Sequence, residues 1–347
     1  MQRLLIFLVT TVLTLGLLQG QDKSKAAAIE GLAYDYLSGK NTYGLSIATL
    51  EEGQVKYYNF GKQSSALDNP PSQSSLYEIA SMTKTMTATA LARMVYDDKV
   101  NYNDPISKFL PKEVVNWSPE ERITLMDLVT HQSGLPRLPG NLFLTTKDIT
   151  NPYSNYFEKD LYAFLTYYTP TELSKRKVDY SNLGFGLLGH LLAKVDSLSF
   201  EEMLTQRVLQ SQTEGIATVE LTGQAKELML QGHQEGNETS LWDLPVLGGA
   251  GAVRANTEYM IHYLKAQIEN PFYASLHKAI IGRQGMAWIS SKLESGEKFV
   301  WHNGGTYGFA SFGAFSKEEK VAVIVLSNAG IPVDDLGIKI LKTLIKE

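Results

Sequence analysis

Ser81 and Lys84 place a hydroxyl and an amine three residues apart, at the head of a run of small and apolar residues that continues to Tyr96. The run reads as a helix, and on a helix positions i and i+3 share one face, a turn apart. The amine is then within reach of the hydroxyl. A lysine that is at least transiently neutral can take the serine proton and leave a nucleophile. Spacing alone does not single out this pair, because Ser174–Lys177 and Ser295–Lys298 share it. Two further groups carry chemistry: Tyr180-Ser181-Asn182, and His302-Asn303-Gly304-Gly305 after the strand-like run Lys298–Trp301. Tyr153-Ser154-Asn155 repeats the letters of the first group, but it follows Asn151-Pro152, a turn signal.

Several elements must position these groups. Residues 43–50 and 54–58 read as two strands of a hairpin around Glu51-Glu52-Gly53. Thr124 and Asp127 fit a capping box that opens a helix with Leu125, Leu128 and Val129 on its apolar face. Leu187, Leu188, Leu191, Leu192 and Val195 form another such face. Strands are expected over Met286–Ile289, Lys298–Trp301, Phe309–Phe315 and Val321–Leu326, and a last helix over Asp334–Lys346. Asn141–Asn155 is the longest expected loop. Strands at both ends with helices between imply one sheet built from the two ends of the sequence, with a helical middle inserted as a second domain.

The 347 residues are 44% hydrophobic, ample for a large core. Arg3, the apolar run Leu4–Leu18 and the small residue in Leu18-Gln19-Gly20 fit a secretory leader over residues 1–20. The run is shorter than the ~20 residues that span a bilayer. An uncleaved N-terminal anchor is the alternative, and no other stretch could span. There is no cysteine, which excludes disulfides, thiol nucleophiles and zinc–thiolate sites. A cysteine-free exported chain suits an oxidising compartment such as the periplasm. The net charge of −5 gives no basic footprint for nucleic acid. His190, His233, His262 and His277 lack metal-ligand spacing, so neither a metal nor a cofactor is expected. Oligomeric state is not legible.

The order Ser-x-x-Lys, Tyr-x-Asn, then a basic residue-x-Gly resembles the penicillin-recognising serine hydrolases, in their class C β-lactamase and DD-peptidase branch. His131-Gln132-Ser133-Gly134-Leu135-Pro136 is similar to that family's His-x-Ser-Gly-Leu-Pro segment. Gly248–Gly251 with Ala255-Asn256 is similar to its glycine turn before a helix, and Val323–Asn328 to its last strand. Tyr180 is preferred over Tyr153 because Leu183–Gly189 continues it as the family's tyrosine motif does.

The resemblance implies an α+β, β-lactamase/transpeptidase-like fold: an antiparallel sheet from the N- and C-terminal segments, flanked by helices, with a mainly helical second domain. It places one hydrolase domain over residues 21–347, with a sheet region near 30–80 and 285–347 and a helical region near 81–284. It implies Ser81 as nucleophile, with Lys84 and Tyr180 around its hydroxyl. Nearby cations are expected to favour the tyrosine phenolate. Asn182 is expected to hold Lys84 and donate to the substrate carbonyl. Gly304 and Gly305 let the edge strand approach the substrate, with the N–H groups of Ser81 and Gly305 as oxyanion hole. The implied substrates are D-Ala-D-Ala ends of peptidoglycan peptides or β-lactams. An esterase on the same fold, or a penicillin-binding sensor without turnover, are the alternatives.

Two positions depart from the family. Its β-lactamases usually carry lysine where His302 stands, so His302 is expected to supply a pH-dependent charge for a substrate carboxylate. They carry glutamine where this chain reads Arg137-Leu138. His131 is expected to be structural.

Overall fold

The computed structural model describes residues 23–39, 41–115, 117–118 and 121–345. The leader expected over residues 1–20 lies outside them. Helix α1 covers 23–37. Strands β1 (Leu45–Glu51) and β2 (Gln54–Phe60) form the expected hairpin. Its turn residues Glu52 and Gly53 have φ of 50° and 79°. Positive φ at both central positions is what a two-residue type I′ turn demands. Downstream come helices α2 (Thr83–Tyr96), α3 (Leu125–Val129), α4 (Glu158–Tyr167), α5 (Asn182–Asp196), α6 (Phe200–Arg207) and α7 (Thr257–Glu269). Strands β3 (Ile289–Lys292), β4 (Lys298–Gly305), β5 (Ala310–Ser316) and β6 (Val321–Ser327) follow, then helix α8 (Asp334–Leu344).

The six strands form one antiparallel sheet in the order β2-β1-β6-β5-β4-β3. β1 pairs with β6 from Leu45↔Ser327 to Leu50↔Ala322, so the sheet is indeed built from both ends of the sequence. β6 is apolar at every position from Val321 to Leu326 because both faces are covered. Val321, Val323 and Val325 join a cluster with Ile29 and Ala33 of α1 and Leu336, Ile340 and Leu344 of α8. Ala322, Ile324 and Leu326 face the opposite way, into a cluster that continues through Met82, Leu91, Leu128, Leu187 and Leu264. One face of the sheet therefore shares a core with the middle helices, and the other is covered by α1 and α8. The strand expected over Met286–Ile289 begins only at Ile289, because Ala287 adopts φ 66°, which extended chain cannot pass through.

Helix α2 is the axis of this arrangement. Residues Thr83–Ala92 and Met94 are buried, so it is enclosed on nearly all sides. Its threonines survive there by hydrogen bonding to carbonyls: Thr85 Oγ1 to Met82 O at 2.8 Å, and Thr89 Oγ1 to Thr85 O at 3.0 Å. Its other side is tied to the segment 249–253. Thr87 Oγ1 donates to Gly249 O, and Thr83 Oγ1 accepts from Val253 N. The capping box at α3 forms as expected, with Asp127 N donating to Thr124 Oγ1 and Thr124 N to the Asp127 carboxylate.

Helix α5 meets the glycine turn 248–250 backbone to backbone. A Cβ on Gly189 would lie 2.8 Å from the Gly249 Cα, and one on Gly249 only 2.4 Å from the Phe185 carbonyl. Gly189→Ala should therefore destabilise the protein by about 1–3 kcal/mol through overpacking. Gly31, in α1, has open space around it, with nothing within 4 Å of where a Cβ would stand. Gly31→Ala should therefore stabilise by about 0.5–1 kcal/mol through helix propensity. Urea unfolding midpoints of the two variants check these opposite signs.

Candidate active site

Ser81 sits in a short 3-10 turn, Ala80–Met82, that leads into α2. Ala80 before it has φ 46°, a left-handed conformation costly for a residue with a Cβ, so the surroundings must hold the turn in place. Ile79 O accepts from Ser311 Oγ of β5 at 2.8 Å. A Cβ on Gly304 of β4 would lie 2.3 Å from that same carbonyl and 2.9 Å from the Ser81 nitrogen. Only glycine at 304 lets the strand lie this close to the serine backbone.

Lys84 follows on the first turn of α2. Its Nζ lies 2.9 Å from Ser81 Oγ and 2.6 Å from Ala250 O, and the residue is fully buried. Burial pushes the amine well below its ordinary pKa, and the charge of Arg137 adds to the effect. Among the described residues no carboxylate pairs with it. The Nζ lies 4.9 Å from the Tyr180 ring centroid.

Tyr180 is held by the chain that precedes it in the sequence by some fifty residues. Asp179 N donates to His131 O at 2.8 Å, and Ser181 N to His131 Nδ1 at 3.1 Å. Ser181 caps α5 through Gly184 N at 2.8 Å while its own hydroxyl donates to Pro136 O. Asn182 N and Leu183 N donate to Arg137 O. The His131 ring packs against the Tyr180 ring with centroids 4.5 Å apart. Burial pushes Tyr180 up to about 12, against the opposing effects of a hydrogen bond with Ser81 and the Arg137 charge. The expected phenolate is thus overruled: desolvation outweighs the neighbouring cation, and the hydroxyl keeps its proton.

The structure brings Ser81, Tyr180, Gly304 and Gly305 onto one cleft of about 370 Å³. Lys84 lies beneath Ser81. Asn182 and His302 depart from expectation. Asn182 Nδ2 donates to Tyr153 OH at 3.2 Å rather than holding Lys84, and Asn182 does not line the cleft. Tyr153, the rival in the other Tyr-Ser-Asn, is buried and acts as partner of this amide. His302 is 1% exposed, with Nδ1 against its own neighbour's carbonyl, Asn303 O, at 2.5 Å and Nε2 without a partner. Burial, with Lys84 nearby, lowers it to about 3. It is neutral near pH 7 and enclosed, so it cannot present a charge to a substrate carboxylate as it stands. His131 is likewise buried and lowered to about 2, first by burial and then by Lys84, His302 and Arg137.

Among the cleft residues that escaped the sequence reading as site members, two are charged. Arg137 lines the cleft with its guanidinium over the Tyr180 ring, 4.9 Å from the centroid. Asp334, first residue of α8, lines it from the sheet side and accepts from Asn303 Nδ2 at 2.6 Å. The segment after Gly-Leu-Pro had already marked Arg137 as unusual. Nothing local marked Asp334. Ala250 O is a backbone group and leaves no side-chain signal. Among the described residues no group of acidic, histidine or cysteine side chains is arranged to hold a metal ion.

Comparison with known proteins bears on the family and the fold. The family model "Beta-lactamase" matches residues 29–344. A β-lactamase of Providencia stuartii is 28% identical over 84% of this chain and 83% of its own. Protein flp of Staphylococcus aureus strain MW2 is 26% identical over 82% of this chain, which spans 59% of that longer relative. Among solved structures, a β-lactamase/D-alanine carboxypeptidase from Pseudomonas syringae superposes with TM-score 0.79 at 20% identity, covering 92% of this chain and 99% of that one. A class C β-lactamase from Rhodobacter sphaeroides gives TM-score 0.78 at 20% identity, covering 91% and 98%. The described architecture and the family match together establish that the chain belongs to the β-lactamase family of serine hydrolases and has its fold.

Proposed function

We propose that Ser81 is the nucleophile of an acyl-transfer reaction in which neutral Lys84 is the base. The 2.9 Å contact between the serine hydroxyl and an enclosed amine whose charged form burial disfavours carries this reading. Ser81 Oγ adds to the substrate carbonyl carbon, and its proton passes to Lys84 Nζ. The N–H groups of Ser81 and Gly305 stabilise the oxyanion. Collapse expels the amine or alcohol, which takes a proton from Lys84 through the Tyr180 hydroxyl. Water then attacks the acyl-enzyme and loses its proton to the same pair, which returns it to Ser81 Oγ as the acyl bond breaks and the acid leaves. Ala250 O orients the amine, and His131 orients the tyrosine. Asn182, tethered by Tyr153, is the donor for the substrate amide once that tether yields. His302 contributes shape at the strand rather than charge.

The substrate class is amides of the D-Ala-D-Ala type found in peptidoglycan peptides, or β-lactams that mimic them. Support comes from the activities for which the related proteins are named, β-lactamase and D-alanine carboxypeptidase. The chain works outside the cytoplasm, its first twenty residues serving as the leader. N-terminal sequencing of the mature protein tests this: an intact Met1 counts against it. The substrate test is mass spectrometry of the protein with a penicillin over time. A transient adduct at Ser81 indicates β-lactam turnover. A lasting one indicates a slow peptidase or a sensor. No adduct, with ester hydrolysis intact, indicates the esterase alternative.

Ser81→Ala should lose labelling by a fluorophosphonate probe and lower hydrolysis at least about 10³-fold, with unfolding unchanged. Labelling at the wild-type rate would remove Ser81 from the mechanism.

Lys84→Ala and Tyr180→Phe should each slow acylation severely, and the double variant should lose far less than the two combined, because groups sharing one proton act as a unit. Additive losses in a double-mutant cycle would separate their roles.

Activity should fall on the acid side as Lys84 gains a proton and ceases to be a base. Arg137 disfavours the ammonium form. Arg137→Gln should therefore raise the lysine pKa and move this limb to higher pH. His302, lowered to about 3, should add no step between about pH 5 and 9. Profiles of kcat/KM for a neutral ester in wild type, Arg137→Gln and His302→Asn check this; an acid limb that follows His302 instead would contradict it.

A further inference from the structure

We infer that Arg137 is a specificity-determining residue that anchors an anionic group of the substrate, so that the preferred acyl donors carry a carboxylate. This rests on the reading of Ser81 given above. The family position expected to carry that charge, His302, is enclosed and neutral. Lys84 is enclosed as well and sits beneath the serine rather than on the cleft wall. Of the described residues lining the cleft, Arg137 alone is cationic.

Its surroundings leave that charge available. Arg176, Arg207 and Arg254 each face a carboxylate, at 3.8, 2.5 and 3.6 Å. Among the described residues Arg137 has no such partner, and its guanidinium is neither hydrogen-bonded nor ion-paired. Its guanidinium carbon lies 4.9 Å from the Tyr180 ring centroid, a cation–π contact. A contact with the ring face uses none of the N–H groups, and those groups can pair with a carboxylate in two parallel hydrogen bonds. The main chain is fixed too, since Arg137 O accepts from the first two N–H groups of α5. The same charge reaches Lys84 and His131, where it adds to the lowering by burial, and Tyr180 and Tyr153, where it opposes the larger raising effect of burial. It therefore stands close to the whole reacting group without being neutralised by it.

A second charge in the cleft reinforces the direction. Asp334 of α8 also lines it, tied to Asn303. An anionic substrate group is repelled there and drawn toward Arg137. The cleft is therefore polarised, and it discriminates by charge as well as by shape.

Boronic acids test this without turnover. Ser81 Oγ adds to the empty orbital of boron, its proton passes to Lys84, and a tetrahedral adduct forms. Calorimetry at one pH near 7.5 would compare 3-carboxyphenylboronic acid with phenylboronic acid. Wild type should prefer the carboxylate compound. Arg137→Gln should lower that preference about 10-fold or more, and Arg137→Lys should retain most of it. The preference should also weaken as ionic strength rises. Taking the ratio of the two compounds cancels any change that Arg137→Gln causes in Lys84 or Tyr180. If both boronates bind and their ratio is the same in wild type and Arg137→Gln, the inference is overturned while the Ser81 reading stands. If neither binds wild type, the Ser81 reading fails and the inference falls with it.

Discussion

An amine removed from water is the constraint on which the rest of the molecule depends. Lys84 has no exposed surface, and an ammonium ion in such a place is costly unless a carboxylate compensates it. None does among the described residues. Its neighbours are a carbonyl, a hydroxyl and the rings of Tyr180 and Phe185. Each tolerates a neutral amine. Creating this environment requires α2 to be enclosed on nearly all sides. It also requires the turn 248–250 to press close enough for Ala250 O to reach the amine. The bare backbone contact between Gly189 and Gly249 is what allows that approach. A helix with two small faces, a glycine turn and a buried lysine are thus parts of one solution.

Electrostatics around the cleft follow from the same economy of charge. Two imidazoles, His131 and His302, lie near Lys84, and both are enclosed and lowered far below neutrality. A cation on either would oppose any proton arriving at Lys84. Kept neutral, they serve instead as a hydrogen-bond acceptor for the Ser181 backbone and as filler at the strand. Positive charge is left at the rim, on Arg137. Tyr180 sits between the rim and the interior, touching both Arg137 and Lys84. It keeps its proton because burial outweighs the guanidinium, and a protonated phenol can pass a proton along as well as receive one.

Much of this was legible in the chain. The Ser81–Lys84 spacing, the capping box at Thr124 and the hairpin at Glu52-Gly53 are local patterns whose geometry is dictated within a few residues. The strand Val321–Ser327 announced itself because burial on both faces requires an unbroken apolar run. Tyr180 was separable from Tyr153 by the helix that follows it. What stayed hidden depends on residues distant in sequence. Whether His302 faces water is decided by what covers β4, and its burial alongside Phe299, three positions away, breaks the strict alternation of a strand. Asn182 finds Tyr153 only after the segment between them, helix α4 included, folds back. Asp334 joins the cleft because α8 begins beside β4, a consequence of topology rather than of any motif.

The pairing of β1 with β6 has a consequence for how the molecule comes into being. These strands are neighbours in space yet separated by some 270 residues of chain, and the loop that their contact closes is among the most expensive in conformational entropy. Sheets assembled from such distant partners form slowly, because the cost of ordering precedes the gain from contact. The hairpin β1–β2 and the helices can organise early from local contacts. β4, whose glycines complete the wall opposite Ser81, can be seated only with β5 and β6. A partly folded chain can therefore have Lys84 in place on α2 while the Ser81 turn, which β4 and β5 hold, and the cleft are still unmade. Recovery of the cleft during refolding should lag behind recovery of helix content, making it a late clock for assembly of the whole chain.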